Sequence, residues 1–342
     1  MASSTSHSNS RFPTRAAALL LTAVVVWGLS IVYTLYGNPE VRNWVMGGKI
    51  KIQWAEKMTR EHGSKILVYG GSSCSFSIDG ERMLDRFGLP TINFGRGADM
   101  GPTVLTESVL DYIRPGDTLI VAIEPGLLTQ SFDVPALGVQ FSYAMHHPEW
   151  VRHPHFGEPR VSWFQALAAL RPGGFHTFMV AGRFASGRPL FRYQASDYHA
   201  SGWEQTEVRV KVTGPADYGT HLSDNARALL RGLSAWCAER HVRIAYSLPW
   251  CYTPPDQVKS FQERNIAILL QVNEFIPVLR DAHLGVDTNL EDFADTQFHL
   301  VGPAAALRTD EFAGQIKSWE LWTATELRQR ETRFVSAVNL PQ

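Results

Sequence analysis

Residues 65–76 read Lys65-Ile66-Leu67-Val68-Tyr69-Gly70-Gly71-Ser72-Ser73-Cys74-Ser75-Phe76, and the fold turns on them. A short apolar run ends in two glycines and a cluster of small polar side chains. Runs of about four to eight apolar residues bounded by turn residues suit strands buried on both faces of a parallel sheet. The glycines permit a tight strand-to-helix turn with close backbone approach. Such a turn exposes a serine hydroxyl at the sheet edge and aims backbone N–H groups at an anion. A phosphate at a helix N-terminus is the other occupant this geometry allows. Neither G-x-x-x-x-G-K-[ST] nor G-x-G-x-x-G is present, which argues against a nucleotide.

Three more runs of the same kind follow: Pro90-Thr91-Ile92-Asn93-Phe94, Thr118-Leu119-Ile120-Val121-Ala122-Ile123 and Arg243-Ile244-Ala245-Tyr246-Ser247-Leu248. Helical periodicity separates them. Leu105, Val109, Tyr112 and Ile113 share a face, as do Ala226, Leu229, Leu233 and Trp236, with Ser223 placed as an N-cap. Val258, Phe261, Leu269, Val272, Phe275 and Leu279 suggest a long further helix that Pro277 should kink or end. Strands alternating with helices predict a doubly wound, mostly parallel α/β sheet. Ligands of such sheets bind beyond the carboxyl ends of the strands. Residues 126–215, rich in Trp, His, Pro, Phe and Gly, break the alternation and read as a large insertion capping the site.

Upstream, residues 16–36 carry no charge and match the ~20 residues a helix needs to cross a bilayer. Arg11 and Arg15 precede the run, and Tyr33 and Tyr36 sit where an interfacial aromatic belt falls. A cleaved signal peptide would have a shorter apolar region and a small-residue cleavage site, so an uncleaved single-pass anchor is expected. The division that follows is a disordered segment over 1–15, the anchor over 16–36, a membrane-proximal linker or helix over 37–62, the main domain over 63–320, and a C-terminal helix or tail over 321–342.

Composition narrows the function classes. Lys plus Arg number 32 and Asp plus Glu 33, so no basic excess exists to drive nucleic-acid binding. Cys74, Cys237 and Cys251 form no C-x-x-C pair, and they read as buried thiols, with a Cys237–Cys251 bridge the alternative in an oxidising compartment. His146, His147, His153 and His155 lack the spacing and companions of a zinc site. No metal and no cofactor is expected. Trp150, Trp163, Trp203 and Trp250 are core residues or sugar-stacking platforms.

Near the other end of the chain lies Asp295-Thr296-Gln297-Phe298-His299-Leu300. A nearby Asp can orient a His that takes the proton of a serine nucleophile. Ser73 competes with Ser72 as nucleophile, and Asp292 with Asp295 as the acid; spacing favours Ser72 and Asp295.

Together these stretches resemble the SGNH, or GDSL-type, hydrolase-like superfamily. Gly70-Gly71-Ser72 resembles its nucleophile turn, and Asn93-Phe94-Gly95-Arg96-Gly97 resembles its second block, with Gly97 matching the oxyanion donor. Asp295 and His299 resemble its late acid–base pair. The resemblance implies a three-layer, flavodoxin-like fold, a triad of Ser72, His299 and Asp295, and an oxyanion hole from the N–H groups of Ser72 and Gly97. Gly71, Ser73, Asn93, Arg96 and Glu124 would then shape the pocket. Three features depart from the pattern. Gly71 stands where Asp is usual, Ile123-Glu124-Pro125 replaces G-x-N-D, and the Asp–His spacing is one residue longer. An ionised Glu124 cannot donate to an oxyanion, so a pairing with Arg96 or a comparable donor is expected. These departures resemble the membrane-anchored branch that acylates extracellular polysaccharides or transfers D-alanine. That likeness implies an acyltransferase or esterase on the periplasmic side of a bacterial inner membrane. The expected partners are a glycan acceptor and a membrane-bound O-acyltransferase. The competing implication is a catalytically degenerate docking or glycan-binding module.

Overall fold

The computed structural model of the chain describes residues 11–338, apart from 132–133, 157–159, 207, 211 and 213. Residues 1–10 of the expected disordered segment and 339–342 of the tail lie outside the described residues.

The described part begins with α1 (Arg11–Val32), which runs through a short π-helical turn (Tyr33–Gly37) into α2 (Pro39–His62). Asn38 caps α2, its side chain accepting from the Glu40 N–H at 3.0 Å, and Pro39 occupies the first helical position, where its missing N–H costs nothing. β1 (Ile66–Gly70), α3 (Ser72–Ser75), α4 (Gly80–Phe87), β2 (Thr91–Asn93), α5 (Gly101–Leu110) and β3 (Thr118–Ala122) follow. The segment between β3 and the next strand holds α6 (Pro125–Thr129), α7 (Ala136–Ala144), α8 (Glu149–Arg152), α9 (Trp163–Ala169) and α10 (Gly174–Ala185). Then come α11 (Asp224–Glu239), β4 (Arg243–Tyr246), β5 (Cys251–Tyr252), α12 (Val258–Val272), β6 (Val278–Leu279), β7 (Val286–Asp287), α13 (Gly302–Ser318), β8 (Leu321–Trp322) and α14 (Ala324–Val338).

Six strands form the central sheet in the order β2-β1-β3-β4-β6-β8, parallel except for β8 at one edge, and β5 and β7 pair apart from it. The strand residues alternate between two cores, as a strand buried on both faces must. Leu67, Tyr69, Leu119 and Val121 pack with α5, α11 and α12, whereas Ile66, Val68, Ile120 and Ala122 pack with Met83 of α4 and Phe312 and Ile316 of α13. This is the three-layer α/β architecture with a mostly parallel sheet.

Ser223 caps α11 through the Ala226 N–H at 3.2 Å. The long helix expected to reach Leu279 ends at Val272, and Val278–Leu279 is a strand, because Pro277 removes the N–H a helix would need there. α2 is an integral part of the domain. Trp44, Trp54 and Met58 enter the larger core, and the buried Lys51 ammonium donates to the carbonyls of Asn93, at 3.0 Å, and Gly202. Thr14–Gly37 is a 24-residue helical span that holds an 18-residue window of mean hydropathy 2.2, long and apolar enough to cross a membrane. All three cysteines are buried and free, so no Cys237–Cys251 bridge is present.

Candidate active site

β1 has neighbours on both sides, β2 and β3, so the strand order reverses there. The carboxyl ends of β1 and β3 therefore diverge into a crevice, where open α/β sheets bind ligands. A cavity of 590 Å³ opens at this edge. Ser72 and Glu124 line it from the turns after β1 and β3, Gly97 from the segment after β2, and His299 from the late loop. Glu40 and Trp44 of α2 close one side, while Arg183, Phe191, Arg192 and Tyr193 from the insertion close another.

The late loop is tightly bound. His299 Nδ1 lies 2.7 Å from Asp295 Oδ1, and its ring stacks on Phe76 with centroids 4.2 Å apart. The other Asp295 oxygen accepts from Tyr193 Oη at 2.8 Å and from Arg192 Nη1 at 2.8 Å, and Tyr193 Oη also sits 3.2 Å from His299 Nδ1. Burial alone would raise the Asp295 carboxyl, but bonds from His299, Tyr193 and Arg192 outweigh it and hold the group down to about 2. Burial and the adjacent Asp295 push the Tyr193 phenol well up, which keeps it a neutral donor. With Nδ1 committed to Asp295, Nε2 is the histidine nitrogen left for chemistry. Asp295, rather than Asp292, is the carboxylate that meets His299.

The turn after β1 is organised by Glu124. Its Oε2 accepts from the Gly71 N–H at 3.1 Å and its Oε1 from the Ser73 N–H at 2.9 Å. The first N–H groups of a helix have no intrahelical acceptor, and Glu124 takes two of those at the start of α3. The intervening Ser72 N–H and the Gly97 N–H donate to no group of the chain among the described residues. Ser72 lines the cavity, whereas Ser73 is 1% exposed. Burial raises the Glu124 carboxyl, and the Ser73 and Gly71 donors offset only part of that rise.

Of the donors expected for Glu124, Arg96 is not the one used; the Gly71 and Ser73 N–H groups take that place. Arg96, 1% exposed, donates through Nη1 to Ser108 Oγ at 2.5 Å, and its guanidinium lies 5.0 Å from the Phe141 ring centre. The Arg96 backbone is at the turn, its N–H donating to the Gly70 carbonyl at 3.1 Å, but its side chain points away. Arg96 runs back beneath α5 and α7, while the backbone donors beside Glu124 are already in place. Asn93 is likewise buried behind the site: its amide donates to the carbonyls of Cys74 at 2.7 Å and Ile78 at 2.8 Å and its oxygen accepts from the Gly95 N–H at 2.8 Å. Asn93 and Arg96 thus brace the turns and do not line the cavity.

Two glycines have steric reasons. A Cβ on Gly71 would stand 2.2 Å from Glu124 Oε2, so the Glu124 carboxylate fills the space a side chain at 71 would need. A Cβ on Gly97 would meet the Trp44 ring at 2.9 Å.

Ser72, Gly97 and His299 share one cavity, with Asp295 behind His299. No hydrogen bond joins Ser72 Oγ to His299 among the described residues. Such bonds often tighten only when substrate is bound. The cavity's aromatic residues are Trp44, Phe191, Tyr193, Tyr218 and Phe298. The tryptophans singled out from sequence lie elsewhere: Trp150 stacks on His147 at 4.4 Å, Trp203 stacks on His199 at 4.4 Å, Trp163 is half exposed on α9, and Trp250 packs against the Trp203 cluster. His155 binds Glu107 at 2.7 Å. Arg192 and Tyr193 had no sequence signal, because their partner Asp295 lies 103 and 102 residues away.

No family model, curated protein or solved structure matches the chain.

Proposed function

We propose that the protein is a serine acyltransferase or esterase acting on a cell-surface or secreted polysaccharide, held by its N-terminal span on the periplasmic side of a bacterial inner membrane. The observation that carries this reading is the Asp295–His299 pair opening onto the same cavity as Ser72. The resemblance of the Ser72, Gly97 and Asp295–His299 stretches to SGNH-type proteins supports it.

In this reading Ser72 Oγ attacks the carbonyl of an acyl ester while His299 Nε2 takes its proton. The tetrahedral oxyanion rests on the N–H groups of Ser72 and Gly97. The carbonyl re-forms, the leaving alcohol takes the proton from His299, and the acyl group stays as an ester on Ser72. A glycan hydroxyl, or water, then gives its proton to His299 and attacks that ester; as the tetrahedral species collapses, His299 returns the proton to Ser72 Oγ and the acylated glycan, or the free acid, leaves. Asp295 holds the histidine tautomer and stabilises the imidazolium, a role its low-lying carboxyl suits. The aromatic lining of the cavity suits a sugar ring, and the membrane span suits a complex with a membrane-bound O-acyltransferase.

A second reading has its own observation. The absent Ser72–His299 bond and a carboxylate at the end of β3 favour a non-catalytic docking or glycan-binding partner of such a complex. Ser72→Ala separates the two. Polymer acylation lost while the complex still assembles supports the enzyme; acylation unchanged supports the module.

A further inference from the structure

Residues 160–196 contain five arginines and no acidic residue, in a chain whose net charge is −1. The same stretch carries a cluster of exposed large apolar side chains. Phe164 of α9 is 83% exposed, and Phe178 and Phe184 of α10 are 75% and 76% exposed. At about 100° per residue, Gly174, Phe178, Ala181 and Ala185 share one face of α10 while His176 and Arg183 share the other. The polar face turns inward, because Arg183 lines the cavity and His176 Nδ1 lies 3.7 Å from Glu40. Phe178 on the first face and Phe184, about 120° round the helix from it, both turn outward and are largely uncovered by the described residues.

The height of this face relative to the membrane follows from the span. Residues 14–29 are exposed throughout, and from residue 30 onward the helix begins to pack against the domain. Sixteen residues rise about 24 Å, short of the ~30 Å hydrocarbon core. The bilayer must therefore reach the level at which the domain meets the helix. Arg171, just ahead of α10, lies 5.4 Å from the Trp27 ring centre, inside the exposed stretch. α10 is thus tied to Trp27 of the span near one end and to Glu40, just past the span, through His176.

We propose that α9 and α10 form a second membrane contact, lying in the lipid–water interface beside the span. Phe164, Phe178 and Phe184 enter the acyl-chain region, and the exposed Arg160, Arg171 and Arg188 sit among anionic phospholipid headgroups. A helix with an aromatic outer face and arginine flanks is built for that position. Because Arg183 and Glu40 line the cavity, this seating brings the cavity mouth to the lipid surface. The inference rests on the span and the insertion, and it is independent of the acyl-transfer reading.

The test uses the full chain in liposomes of phosphatidylethanolamine and phosphatidylglycerol. Phe164→Cys and Phe178→Cys are spin-labelled in turn, with exposed Glu239→Cys on α11 as the aqueous control; the native cysteines are buried. Collision with dissolved oxygen and with a water-soluble nickel chelate is measured by electron paramagnetic resonance. Labels at 164 and 178 should collide strongly with oxygen and weakly with nickel, the reverse of the label at 239. Nickel collision at 164 and 178 equal to that at 239 would mean that the face is in water and overturn the proposal. Shielding from both reagents would mean that protein covers the face, and would overturn it equally.

Discussion

Glu124 lines the cavity and Asp295 stands behind the His299 that lines it too, and burial acts on both carboxyls in the same sense. They nevertheless end in opposite states. Asp295 receives His299, Tyr193 and the Arg192 guanidinium, and its carboxyl is held down to about 2. Glu124 receives two backbone N–H groups and no cation, and its carboxyl is raised. Burial sets the penalty for charge; the number and kind of donors decide whether the charge survives it. One wall thus carries a fixed negative charge suited to steadying an imidazolium. The other carries a carboxyl whose role is to shape the turn after β1.

Changing each wall separately should break or sharpen this contrast. The largest effect is expected at the charged wall. Asp295→Asn should lower acyl transfer about 10⁴-fold, because the amide no longer selects the histidine tautomer or steadies its cation. A rate assay on the full chain measures this, and a drop under tenfold would show that the Asp295–His299 pair is structural.

At the other wall, the interdependence of Gly71 and Glu124 is open to a double-mutant cycle. Gly71→Asp forces a second carboxyl into space that Glu124 fills, and should cost about 3–5 kcal/mol, the range for an uncompensated buried charge. Gly71→Asp combined with Glu124→Ala should recover much of that loss, since the vacated space accepts the new side chain. Denaturant unfolding reads the coupling. Strict additivity would mean that the two positions do not share the space.

The opposite pKa shifts imply opposite pH slopes of stability. Asp295 is depressed from 3.8 to about 2, so its contribution of about 2 kcal/mol is present above its unfolded value and lost as pH falls through about 2. Glu124 is raised from 4.5, so the folded state binds its proton more tightly than the unfolded chain, and stability falls as pH climbs from 4.5 through the raised value. Asp295→Asn should flatten the acid-side loss, and Glu124→Gln the loss above the glutamate range. Unfolding midpoints across pH for both variants and the wild type test the pair of signs; the same slope change in both would refute the contrast.

The smallest effect belongs to Arg192. Its side chain is 43% exposed, so solvent screens its bond to Asp295. Arg192→Ala should cost under about 1 kcal/mol of stability and reduce activity by less than about tenfold, with a slight rise in the Asp295 pKa. An NMR titration of the carboxyl, beside the rate, checks this. A loss as large as that of Asp295→Asn would assign Arg192 a direct contact with substrate.

Much of the architecture was legible in the chain itself. The apolar runs at 65–69, 90–94, 118–123 and 243–248 each hold a strand of the central sheet, and Ser223 does start a helix. The apolar span and the approximate locations of Ser72, Asp295 and His299 at the sheet edge were legible too. These features rest on local signals: periodicity, capping and the turn chemistry of glycine. Strands two residues long, such as Val278–Leu279 and Leu321–Trp322, carry no period and take their form from neighbours already in the sheet. The partners of the charged groups were settled only by the tertiary structure. Glu124 turned to the backbone of Gly71 and Ser73, Arg96 was buried against Phe141 away from it, and Arg192 and Tyr193 reached Asp295 from the insertion. A charged side chain selects among all donors and acceptors that folding brings within about 3 Å. That selection spans 51–53 residues for Glu124 and 102–103 for Asp295, separations at which neither spacing nor propensity holds any information.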